Sequence, residues 1–137
     1  VSFILLDTSA YSRMLMGHVG ICDCVQSSPA VAISAVSLGE LFGGLRHRPH
    51  EVRARTLDAF LLSPRIRVLD VTLETARRYA HIYADLAAKG TPIPANDIWI
   101  AACAMEHGLE LVTCDRHFER IEQILVRCFA PDDPPRP

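Results

Sequence analysis

The stretch Asp97-Ile98-Trp99-Ile100-Ala101-Ala102-Cys103-Ala104-Met105-Glu106-His107-Gly108-Leu109-Glu110-Leu111-Val112-Thr113-Cys114-Asp115 decides the fold class. Its first part reads as a helix over about 95–107 that is apolar on every side, the pattern of a helix buried all round. Pro92 and Pro94 punctuate its approach and Gly108 suits its stop. A short strand over 109–113 follows directly, and an acid stands at each end of the stretch. Similar strands read at 3–6, 30–34, 66–69 and 125–129. Helical patterns fill the gaps at about 8–17, 37–47, 50–62, 73–89 and 116–123. Strands alternating with helices imply an α/β domain, a mostly parallel sheet flanked by helices on both faces.

The chain of 137 residues fits one domain, expected over 1–130. Half of it is apolar, enough for a core without disulfide staples. The end from 131 to 137 is rich in proline and reads as a loose tail. Five cysteines are an odd number without framework spacing, so free thiols in a reducing cytosol are expected. The residues before Asp7 are too few for a signal peptide, and the longest apolar run, Ile98 to Met105, is far too short to span a membrane. A soluble cytoplasmic protein is the expectation. The formal net charge of −2 excludes a globally basic nucleic-acid binder, although not a local basic face.

Four acids do not read as surface residues. Asp7 follows the run Phe3-Ile4-Leu5-Leu6, and Asp115 follows the strand 109–113. Each is explicable as a helix cap, and each also stands where a parallel sheet presents residues to ligands. In a sheet of order 3-2-1-4-5, strands one and four are neighbours, and Asp7 and Asp115 would share one crevice. Glu40 completes Ser37-Leu38-Gly39-Glu40, the form of a capping box. Gly39, Gly43 and Gly44 make that helix poor by propensity and would admit a close neighbour, which leaves a site role open. Asp97 leads an apolar helix, where an ionised carboxylate needs a partner. Four converging carboxylates would repel one another, and a divalent cation removes the repulsion. All-oxygen ligation suits Mg²⁺ or Mn²⁺, and the chemistry to expect is metal-assisted attack of water on a phosphate ester.

These residues also resemble a known family. Asp7-Thr8-Ser9 after the first strand, Ser37-x-x-Glu40-Leu41, Asn96-Asp97-x-x-Ile100-Ala101-Ala102 and Thr113-x-Asp115-x-x-Phe118 occur in the order of a PIN domain. More narrowly, the chain resembles a VapC-type toxin of a bacterial toxin–antitoxin pair, over about residues 3 to 129. The resemblance implies a compact parallel-sheet fold and a Mg²⁺- or Mn²⁺-dependent endoribonuclease acting on structured RNA such as tRNA or rRNA. It places Asp7, Glu40, Asp97 and Asp115 on the family's acidic quartet and Thr113 on its hydroxyl position. Thr8 and Ser9 fall where relatives carry small polar residues. It also implies a homodimer and a VapB-type antitoxin whose C-terminal segment covers the acidic site. Many relatives carry a further acid where this chain has His117, which leaves a second metal position open. His117 itself is expected to be solvated rather than to touch RNA phosphate.

Positive charge for RNA has one obvious source. Six arginines (Arg46, Arg48, Arg53, Arg55, Arg65, Arg67) face only Glu51 and Asp58 between residues 46 and 67. Arg46, Arg48 and Arg53 are the expected RNA-guiding face. The remaining apolar repeats read as core: Tyr11 with Met14, Leu15 and Met16, and Ala76, Tyr79, Ala80, Tyr83 and Ala87 on one helix. Rival chemistries fail on composition. A haloacid-dehalogenase-like phosphatase needs an acid where Ser9 stands, a receiver domain needs a strand-end lysine, and Lys89 is the only lysine. No P-loop motif exists. A PIN-like module that binds RNA or protein without cutting it is the alternative function.

Overall fold

The computed structural model of the chain describes residues 3–132, so the last part of the proline-rich tail, 133–137, lies outside the described residues. The elements run β1 (Ile4–Leu6), α1 (Thr8–Leu15), α2 (Val19–Ser27), β2 (Val31–Ser34), α3 (Ala35–His47), α4 (Glu51–Leu62), β3 (Ile66–Leu69), α5 (Leu73–Lys89), α6 (Ala95–His107), β4 (Glu110–Thr113) and β5 (Val126–Cys128). A 3-10 turn, Arg116–Arg120, joins the last two strands. All five strands are parallel, in the order β3-β2-β1-β4-β5.

The register aligns Leu6 with Ile33 on one side and with Val112 on the other. Asp7 and Thr113 therefore leave the sheet side by side at the carboxyl ends of β1 and β4. Alternation divides the core into layers. Leu5, Ala32 and Leu111 point toward α5 and α6, packing with Ile82, Leu86, Ile98, Ile100 and Phe118. Ile4, Leu6, Val31 and Val112 point the other way, against Ala10, Ile21 and Cys24. Ile33 closes that side with Tyr11, Leu38 and Leu57. Strands β1 and β2 are buried along their whole length, β4 from Leu111 onward, and the edge strands β3 and β5 only in part.

Helix α6 is the internal helix that its composition implies: Ile98 and Ile100 through Ala104 are buried, and the Trp99 ring packs on Tyr79 of α5 at 4.2 Å between centroids. Gly108 ends it in the left-handed conformation at φ 64°, which a residue without a Cβ adopts at low cost. Because α6 runs back against the strand direction, its first turn, with Asp97, lies at the carboxyl edge of the sheet.

Several expectations are corrected. The segment 19–27 is a helix, capped by the His18 ring accepting from the Ile21 N–H rather than by a Ser, Thr or Asp. The expected helix over 116–123 is a 3-10 turn that stops at Arg120. On α5 the buried face is Thr75, Ile82 and Leu86, while Ala80, Tyr83 and Ala87 are exposed. On α1, Tyr11 is core, whereas Leu15 and the C-cap residue Met16 just beyond it are exposed. The cysteines form no disulfide, and no helix among the described residues is long and apolar enough to cross a membrane.

Candidate active site

The junction from β1 to α1 supplies the most enclosed acid. Asp7 is 3% exposed and does cap α1, accepting from the Ala10 N–H at 2.8 Å. The same carboxylate accepts from Thr113 Oγ1 at 2.7 Å and from Ser9 Oγ at 2.8 and 3.0 Å. Capping and crevice are thus one arrangement, not competing ones. Burial pushes the Asp7 pKa up, and these donors pull against that shift.

Thr113 ties both strand ends together. Its buried hydroxyl donates to Asp7 and accepts from the Asp115 N–H at 2.9 Å. Ser9 makes a second tie, accepting from the Cys114 N–H at 3.1 Å. Asp115 itself caps the 3-10 turn, its Oδ1 accepting from the His117 N–H at 2.9 Å.

Glu40 does not belong to a capping box. The N-cap of α3 is Ser34, whose Oγ accepts from the Val36 N–H at 3.0 Å. Ser37 lies inside the helix, fully buried, with no partner for its hydroxyl. Released from that role, Glu40 reaches across to β1's side and accepts from Thr8 Oγ1 at 2.7 Å. Gly39, Gly43 and Gly44 face open space, where an added Cβ would meet nothing within 4 Å, so no neighbour within the chain requires them.

Asp97 sits in the first turn of α6, behind Pro94, which offers no side-chain cap. Its pKa rises from an ordinary 3.8 to about 6, first through burial and then through the negative charge of Asp115, Asp7 and Glu40. The four sequence-expected acids therefore share one field, although they are not equidistant. The tight group is Asp97, Asp115 and His117, whose donor atoms all lie within 4.8 Å of one another. Asp7 and Glu40 stand outside it, held by hydroxyls. His117 is half-buried against two acids rather than solvated: Nδ1 is 3.2 Å from Asp115 Oδ1 and 3.7 Å from Asp97 Oδ2. The donor set fits a divalent cation, since ligands about 2.1 Å from one ion at right angles stand about 3 Å apart. A cation there would also cancel the repulsion that weakens Asp97 as an acid.

Thr8, Ser9 and His117 are the site residues that the acidic pattern did not single out. A hydroxyl directly following a strand-end acid is a usable signal for the first two. The arginines divide. Arg65 donates to the Val25 and Ser28 carbonyls, Arg67 to the Pro64 carbonyl at 3.0 Å, and Arg55 stands 3.9 Å from Glu51. Arg46, Arg48 and Arg53 are exposed and form no ion pair with another described residue. Arg46 also lines an apolar hollow between α3 and α4 with Phe42, Leu45 and Leu57.

Comparison with known proteins is consistent with this geometry. The PIN domain family model matches residues 4–124. Ribonuclease VapC4 of Mycobacterium tuberculosis is 33% identical over 95 residues, covering 69% of this chain and 73% of that one. The tRNA(fMet)-specific endonuclease VapC of Salmonella typhimurium is 36% identical over 98 residues, covering 70% and 73%. Among solved structures, DNA-bound VapBC from Salmonella typhimurium superposes with a TM-score of 0.77 at 31% identity, covering 93% of this chain and 98% of that one.

Proposed function

This chain belongs to the PIN domain family, in its VapC group, and from that premise we propose that it is a divalent-metal-dependent endoribonuclease, the toxin of a toxin–antitoxin pair. The observation that carries the reading is the set of four carboxylates across the β1–β4 crevice, with Asp97 weakened as an acid to about 6 by burial and by the other three. Structural acids are seldom placed where they repel one another, and such perturbation marks functional sites.

Asp97 and Asp115, with Asp7 directly or through water, would hold Mg²⁺ or Mn²⁺. When bound, that ion supplies activation of water and neutralises charge developing on the phosphate. Glu40, exposed and steadied by Thr8, orients the attacking water or holds a second ion. Thr113 and Ser9 fix the Asp7 carboxylate and the backbone that carries Asp115, so the acids need not reorganise when RNA arrives. Arg46, Arg48 and Arg53 form a positive face beyond Glu40 for the RNA backbone.

Structured RNA, tRNA or rRNA, is the proposed substrate, supported by the printed specificity of the Salmonella relative. A VapB-type antitoxin covering the acidic site and a homodimer are the proposed assembly, supported by the similarity to a VapBC complex. Sequencing RNA ends after brief expression tests the activity. New ends at a defined RNA position, absent with Asp97→Asn, are expected. Identical ends with both proteins would overturn the reading in favour of a non-cutting binding module.

A further inference from the structure

Resting on the metal reading above, we propose that His117 Nδ1 is a direct ligand of the cation and biases the site toward Mn²⁺ and later first-row ions over Mg²⁺. The imidazole is delivered by the same 3-10 turn whose cap offers the neighbouring carboxylate. Asp115 accepts from the His117 backbone N–H at 2.9 Å, which locks the start of the 3-10 turn. The ring is thereby held with Nδ1 facing Asp115 Oδ1 at 3.2 Å and Asp97 Oδ2 at 3.7 Å.

Although 44% of the side chain is exposed, Nδ1 itself is shut off from solvent and makes no hydrogen bond. A ring nitrogen in that condition costs free energy unless something meets it. Its separations from the two carboxylate oxygens are those of donors sharing one ion, and the three form a compact group within 4.8 Å. Donor chemistry then sets the preference. Mg²⁺ takes oxygen ligands almost exclusively, whereas imidazole nitrogen suits transition ions, whose affinities rise along the first row from Mn²⁺.

Pulsed electron paramagnetic resonance on the full chain with Mn²⁺ alone tests this directly. Electron spin echo modulation from a coordinated imidazole ¹⁴N is expected in the wild type. It should vanish in His117→Gln and His117→Asp, both still binding Mn²⁺ and showing unchanged far-ultraviolet circular dichroism. Calorimetric titrations should show the Mn²⁺-to-Mg²⁺ affinity ratio falling about tenfold in His117→Asp, which restores an all-oxygen set. Mn²⁺ binding that requires Asp97 but lacks the ¹⁴N modulation, or keeps it in both variants, would overturn the ligand role. His117 would then serve only as a counter-charge to the acids. Failure of Mn²⁺ to bind, or binding indifferent to Asp97→Asn, would instead overturn the metal reading, and the ligand role with it.

Discussion

At Asp97 the chain holds a carboxyl group where its charge is least welcome. A folded pKa of about 6 against an ordinary 3.8 means that the native state keeps this proton more tightly than the unfolded chain. Metal-free protein should therefore lose stability as pH rises from about 4 to about 6 and stay at the lower level above that. In EDTA at pH 7, Asp97→Asn should be more stable than wild type by about 1–2 kcal/mol, a figure discounted for solvent screening of a half-buried group. The gain should disappear below pH 4, and thermal unfolding across pH measures it. Thr113 behaves in the opposite sense. Thr113→Val removes one of the two hydroxyl donors to the buried Asp7 Oδ2 and the acceptor of the Asp115 N–H, and should cost about 1–3 kcal/mol by denaturant unfolding. Asp97 was legible because an acid leading an apolar helix has no ordinary explanation. His117 was not, because only the 3-10 turn brings its ring back onto Asp115 and Asp97.

Helix α3 shows how a local pattern misleads at the scale of an element. Ser37 and Glu40 match a capping box in spacing, yet the chain enters the helix from a buried strand, and β2 ends at Ser34. The cap falls where the strand ends, three residues early, and Glu40 is free to face the crevice. Ser34→Ala should cost about 1 kcal/mol. Ser37→Ala, which removes a buried hydroxyl without a partner, should be neutral or stabilising in the same unfolding assay. A capping box would give the reverse order. Helix α2 escaped the sequence reading for a related reason: its cap is a histidine, and Gly20 lowers its intrinsic propensity. The long strongly patterned elements α5 and α6 kept the bounds read for them, because propensity, glycine stops and burial agree there.

Over the whole molecule, the sheet order converts scattered acids into one site. Asp7 and Asp115 lie far apart in sequence, and only the adjacency of β1 and β4 makes them neighbours. That order rests on which crossovers pack, information that no single strand carries. The net charge of −2 misleads for the same reason, since it averages the acidic crevice with the exposed arginines. Replacing Arg46, Arg48 and Arg53 together with Gln should weaken RNA binding and flatten its salt dependence by about two to three phosphate contacts, read by filter binding across salt. An unchanged slope would remove that face from the RNA path. Hydrolysis by water at a carboxylate-held divalent ion is read in the chemistry of the cut ends. Cleavage of a defined RNA should leave 5′-phosphate ends and should stop in EDTA. A 2′,3′-cyclic phosphate, or full activity in EDTA, would contradict it.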